Sequence, residues 1–165
     1  MARSLAVLMD AIADIKIAKD TTFALLLEAQ RRGYALHYMG HADLAIREGK
    51  AWGRLSDLSV KDDPGNWYTL GEPKWRQLGE VDIILARKDP PVDSQFVYDT
   101  HVLQLAQDAG SLVVNNPRGL RDANEKLFAQ HFPQCCAPTL VARDIVELKR
   151  FAAEHGKIVL KPLDG

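Results

Sequence analysis

The stretch "VDIILARKDPPVD", residues 81–93, decides the fold. "VDIILA" is a strand-sized, mostly apolar run, as expected of a strand buried on both faces of a parallel sheet. It ends on three charged residues in a row, Arg87, Lys88 and Asp89, followed by Pro90 and Pro91. The prolines stiffen the backbone there, so the charges cannot drift. Parallel α/β sheets take their ligands at the carboxyl ends of their strands, which is where this cluster falls. Two readings follow: a ligand site, in which an arginine fork takes a carboxylate through two bonds, or a salt-bridged strand end leading into a helix. Position and density of charge favour the ligand site.

Working outward, the hydrophobic period switches repeatedly. "SLAVLM" (4–9) and "YALHYM" (34–39) read as strands. Between them "TTFALLLEAQRRG" spaces Phe23, Leu26, Leu27 and Gln30 as on a helix, with Asp20 or Thr21 to cap it and Gly33 to end it. "DLAIREGKAWGRL" predicts a hairpin turning at Glu48-Gly49, and the polar "KDDPGNWYTLGEPKW" (61–75) a long surface excursion. "SQFVYDTHVLQLAQDAG" predicts a helix with Tyr98, Val102, Leu105, Ala106 and Ala109 on its inner face, and "SLVVN" (111–115) another strand. This order predicts an α/β fold with a mostly parallel sheet between helices. A boundary falls near "NNPRGL" (115–120). Beyond it come a short helix "RDANEKLFAQHF", a strand "APTLVA", a helix from Asp144 to His155 with Ile145, Leu148 and Ala152 inward, and a strand "KIVLKPL". That β-α-β set is too small to bury its own faces and reads as the opening of a second domain.

Composition narrows the function. The chain has 165 residues, 47% hydrophobic and 26% charged, with a formal net charge of −1 and no basic stripe. A nucleic-acid surface and a polybasic membrane contact are therefore not expected. No apolar run approaches the ~20 residues of a membrane span, and Asp10 breaks the apolar start, against a signal peptide. Cys135 and Cys136 are the only cysteines, too few for a disulfide framework, and a reducing cytoplasm fits. Neither G-x-G-x-x-G nor the P-loop pattern occurs, nor H-E-x-x-H, C-x-x-C or an EF-hand loop. His37 and His41 are four apart, but across a strand end, where helical metal geometry does not apply.

Two lysines remain. Lys126 sits in "LRDANEKLF" (120–128) among Arg121, Asp122 and Glu125; alone it reads as an ordinary charged helix surface. Lys161 leaves the apolar run of "VLKPLDG" (159–165), where a buried ammonium needs an anionic partner. Pro162 fixes the turn, and Gly165 permits left-handed backbone, as at the start of a phosphate-covering loop. Together the two lysines point to one polyphosphate.

"RKDPP" (87–91), "LRDANEKLF", "VLKPLDG" and the opening "VLMDAIADIKIAKDTTFALLLEAQRRGY" (7–34) resemble bacterial glutathione synthetases, which are ATP-grasp ligases. The likeness runs through the whole chain in order and covers about the first half of a family member. It implies a Rossmann-like, pre-ATP-grasp N-terminal domain over residues 1–123 and the beginning of an ATP-grasp domain over 124–165. It also implies the reaction: ATP phosphorylates the cysteinyl carboxylate of γ-glutamylcysteine, and the amine of glycine attacks the acyl phosphate. Lys126 and Lys161 match the family's phosphate-contacting lysines. Arg87, Lys88 and Asp89 match the segment facing the peptide, with Arg87 as carboxylate clamp. The Mg2+ ligands belong to a later part of the family, so these 165 residues alone are expected to lack ligase activity. A cytoplasmic homo-oligomer is implied. The chain departs from the family pattern at Ala11, where proline is usual, and at Val92, where phenylalanine is. Another ATP-grasp carboxylate–amine ligase, or a non-catalytic α/β module for oligomerisation or ligand binding, are the competing readings.

Overall fold

A computed structural model describes residues 3–89 and 91–163. The sheet is built outward from β1 (Ser4–Leu8), which pairs in parallel with β2 (Ala35–Met39) on one side and β7 (Ile83–Ala86) on the other. Beyond β7 lies β8 (Leu112–Val114), also parallel. Alternate residues of a strand face opposite sides, and β1 uses both. Leu5 and Val7 enter a core with Phe23, Leu26 and Leu36, whereas Ala6 and Leu8 enter a second core with Leu78, Ile84 and Leu103. A run with no polar interruption is what such a strand requires. At its foot, the Ser4 amide and hydroxyl both donate to Asp82 Oδ2, at 2.7 and 2.8 Å, across 78 sequence positions.

The helix α1 (Thr21–Arg31) covers the first core. The carboxylate of Asp20 caps it, accepting from the Phe23 amide at 2.7 Å, and Gly33 turns the chain out with φ of 81°. The other half of the sheet is antiparallel and centres on β4 (Lys50–Val60), which pairs with β2 and with β3 (Leu44–Arg47). Glu48 and Gly49 both take positive φ, 49° and 74°, the geometry of a two-residue hairpin turn whose twist suits its strands. The expected excursion over 61–75 is more ordered than its composition indicates: β5 (Tyr68–Leu70) and β6 (Lys74–Gln77) lie within or at the end of it and both pair with β4. These strands are short and polar, and the long β4 supplies the template that their own pattern does not announce.

Capped by Asp93, α2 (Ser94–Asp108) covers the second core, with Val102, Leu105 and Ala106 against it as expected. Asp99, Thr100, Leu103 and Ala106 are buried, while Tyr98 is 59% exposed. Asp99 and Thr100 are not among the residues expected on the inner face. Each is satisfied inside: the Thr100 hydroxyl donates to Val97 O at 2.6 Å, and Asp99 meets His41.

After β8 the expected helix over 121–132 is broken. α3 (Pro117–Asp122) ends at Ala123, and α4 (Glu125–Phe128) starts afresh from Asn124 before 3-10 turns. α5 (Ile145–His155) forms with Asp144 as its cap. Residues 137–142 and 157–163, expected as strands, form no ladder. Ile145, expected inward, is 60% exposed, and Val159 and Leu160 are 81% and 73% exposed. A strand is stable only with neighbours to pair with and a face to bury, and the described residues supply neither there. Pro90 and the Asp164-Gly165 turn lie outside the described residues.

Candidate functional site

The parallel strands bring their carboxyl ends to one edge. Asp10 lies just beyond β1, His41 beyond β2, Arg87 to Asp89 beyond β7, and Asn115 beyond β8. Arg87 is held at both levels: its amide donates to Leu8 O at 2.8 Å, extending the ladder, and its Nε donates to Thr22 Oγ1 at 2.9 Å. Among the described residues Arg87 makes no ion pair, so a neutral hydroxyl orients the guanidinium while its charge stays available. Lys88 differs. Its Nζ lies 2.8 Å from Asp10 Oδ1 and donates to Asp89 O at 2.8 Å, and the Asp89 amide donates to Asp10 Oδ2 at 3.1 Å. Asp10 thus latches the whole turn.

Behind this turn the partly exposed His41 reaches in from the β2–β3 connection to the buried Asp99 on α2. Burial pushes the Asp99 carboxyl above its ordinary pKa, and the His41 bond and charge pull it back. Elsewhere, His37 on β2 faces Asp57 at 3.0 Å; burial, with the Arg76 charge, holds its pKa low, against the pull of Asp57. It lines none of the clefts below.

Two hollows adjoin the edge, and a third shares residues with the second. A cavity of about 140 Å3 is lined by Leu8, Arg87, Lys88, Asp89, Asp99 and Asn115. A cleft of about 600 Å3 runs from Lys88 and Phe96 past Arg121 and Asn124 to Lys126. A third, of about 670 Å3, holds Lys126 and Lys161 together with Cys136, Thr139 and Leu160. The structure therefore brings the two lysines to one cleft, and Lys126 also borders the cleft that begins at Lys88. Both clefts fall in the size range of small-ligand sites. Lys126 is mostly covered, its side chain 18% exposed with Nζ 3.3 Å from Glu125 Oε1, and Lys161 is exposed. Paired ammonium groups on one cleft can hold a polyanion; the fork of Arg87 can hold a carboxylate.

Sequence reasoning missed Asp10, His41 and Asp99. Asp10 carried a usable signal, being the first polar residue after the β1 run, as Arg87 is after β7. His41 and Asp99 carried none, because nothing in the letters shows that the β2–β3 connection meets α2.

A family model for the N-terminal domain of prokaryotic glutathione synthetase matches residues 4–121, and one for the ATP-grasp domain of the same enzymes matches residues 125–165. The chain belongs to the prokaryotic glutathione synthetase family. It is 59% identical, over all 165 residues, to a glutathione synthetase of Xanthomonas axonopodis pv. citri (strain 306), covering 52% of that protein. To a glutathione synthetase of Xylella fastidiosa (strain 9a5c) it is 56% identical over 159 residues, 96% of this chain and 51% of the relative. To that of Yersinia pestis it is 51% identical over 161 residues, 98% and 50% of the two chains. The chain spans about half the length of these curated members of the glutathione synthetase family. Among the described residues no helix is long and apolar enough to cross a membrane.

Proposed function

We propose that this chain serves glutathione synthesis, the ATP-dependent joining of γ-glutamylcysteine to glycine, together with the part of the relatives' length that it does not span. The observation that carries the proposal is the shared cleft of Lys126 and Lys161, joined through Lys126 to the cleft that begins at Lys88. In this reading residues 1–123 form the substrate-facing α/β domain and residues 124–165 begin the ATP-grasp domain; the family matches, meeting between residues 121 and 125, support that division.

Each group then has one task. Arg87, oriented by Thr22, clamps a carboxylate of the dipeptide, while Lys88 and Asp89, fixed by Asp10, shape the turn beside it. Lys126 and Lys161 hold the triphosphate and offset the charge that builds on it during transfer. The cysteinyl carboxylate oxygen bonds to the γ-phosphorus as the bond to the ADP oxygen breaks. The glycine amine, having lost a proton, then attacks the acyl carbon and phosphate leaves.

Magnesium ions neutralise phosphate charge in such transfers. Among the described residues there is no group of three or more His, Cys, Asp or Glu side chains that could hold a metal ion. We place its ligands in the unspanned part, and the protein in the cytoplasm as a homo-oligomer.

The test is direct. The full-length protein, given ATP, Mg2+, γ-glutamylcysteine and glycine, releases ADP and glutathione together, and the 165-residue chain alone releases neither. Arg87→Ala raises KM for γ-glutamylcysteine; an unchanged KM would remove the peptide assignment and favour another carboxylate–amine ligase. ADP and glutathione from the 165 residues alone would refute the division of labour.

A further inference from the structure

Asn124 lines the cleft that begins at Lys88 and bonds to the backbone of both lysine-bearing segments. Its Oδ1 accepts from the amides of Lys126 and Leu127, at 3.0 and 3.2 Å, and so caps α4. Its Nδ2 donates to Leu163 O at 2.8 Å, across 39 sequence positions. The orientation of the amide is fixed by this network: reversed, it would set oxygen against the Leu163 carbonyl and NH2 against two N–H groups. Serine, threonine and aspartate also cap helices, but asparagine alone of these offers an amide donor at the other end of the same group.

Both ends matter to the lysines. Lys126 lies two residues beyond Asn124, and its own amide makes one of the capping bonds. Lys161 lies two residues before Leu163, with Pro162 between them. Proline fixes its own φ and restricts the residue before it to extended backbone, so a pin at the Leu163 carbonyl is passed to Lys161 with little slack. The pin is needed, because residues 157–163 belong to no strand among the described residues. We propose that Asn124 is a positioning residue that staples the Lys161 segment to the cap of the Lys126 helix, setting the separation of the two ammonium groups for a triphosphate. The proposal rests on the reading of both lysines as phosphate contacts.

The experiment uses Asn124→Asp and Asn124→Ser in the full-length protein, with Lys126→Ala and Lys161→Ala beside them. Aspartate and serine keep the cap, so unfolding midpoints stay near that of the parent. Aspartate cannot donate to Leu163, and serine is too short to reach it. Both variants raise KM for ATP by about three- to tenfold, the worth of one solvent-exposed hydrogen bond, and leave KM for γ-glutamylcysteine unchanged. A rise with aspartate alone would mean charge repulsion of the nucleotide and overturns the staple. If neither variant moves KM for ATP while the lysine variants do, the staple fails and the lysine reading stands. If the lysine variants also leave it unmoved, both fall.

Discussion

Replacing His41 by alanine isolates the buried acid of α2. Asp99 is 6% exposed, and His41 is the hydrogen-bonding partner in direct contact with it. The charged groups that also face it are Lys88, whose Nζ is engaged by Asp10, and Asp93 at the start of the same helix, which opposes its ionisation. Removing the imidazole leaves a carboxylate desolvated and unpaired. Hydrogen bonds to charged groups are worth about 1.5–3 kcal/mol. His41 is itself 38% exposed, so solvent screening places the loss near the lower end of that range, about 1.5 kcal/mol at pH 7. For a domain of this size that lowers the melting temperature by about 3–6 °C.

The pH dependence has a definite sign. A carboxyl whose folded pKa is raised binds more protons folded than unfolded, so stability is greatest at acid pH and falls as pH rises from the unfolded pKa through the folded one. Burial already raises Asp99, and losing His41 removes what pulls it back. The cost of His41→Ala therefore shrinks as Asp99 becomes protonated and grows towards pH 7 and above. Urea unfolding followed by circular dichroism between pH 4.5 and 8 reads this, and adding Asp99→Asn to His41→Ala recovers part of the loss at pH 7. A cost below about 0.5 kcal/mol, flat with pH, would refute the argument that Asp99 is held ionised by its partner.

Two further outcomes are accessible. Asp10→Asn keeps an acceptor for the Asp89 amide but removes the charge from a half-exposed pair, so stability falls by less than about 1 kcal/mol while KM for γ-glutamylcysteine rises at least about threefold; steady-state kinetics with an unchanged KM would take Asp10 out of the site. Gly79→Ala would place a Cβ 2.5 Å from the Ala109 Cβ, which is fixed to the backbone where α2 ends, so overpacking costs about 1–3 kcal/mol in thermal or urea unfolding and Ala109→Gly relieves it.

Legibility followed the physics of burial. Strands β1, β2, β7 and β8 could be read because both of their faces, or one face and an edge, fill a core, and a core imposes an apolar run. Arg87, Lys88 and Asp89 could be read because a charge cluster at such an exit is conspicuous. β5 and β6 could not, since polar residues such as Lys74, Arg76 and Gln77 are recruited by the length of β4 and not by their own pattern. The inner face of α2 could be read only in part for a related reason: an aspartate goes inside only when a distant residue meets it, and His41 is 58 positions away. The segments 137–142 and 157–163 carry strand-like letters, but letters do not provide a partner.

The long reach of the Ser4–Asp82 contact bears on how the chain is made. During synthesis β1 finds β2 within a few dozen residues, yet its other flank has no companion until β7 emerges, 79 positions after the start of β1. Until then a strand that is apolar beyond Ser4 keeps one row of amides and carbonyls open to any passing chain. The hairpin of β3 and β4 can form meanwhile from near neighbours, but it completes the far side of the sheet and leaves that flank bare. A nascent chain paused before residue 83 is accordingly the form of this protein most in need of a chaperone.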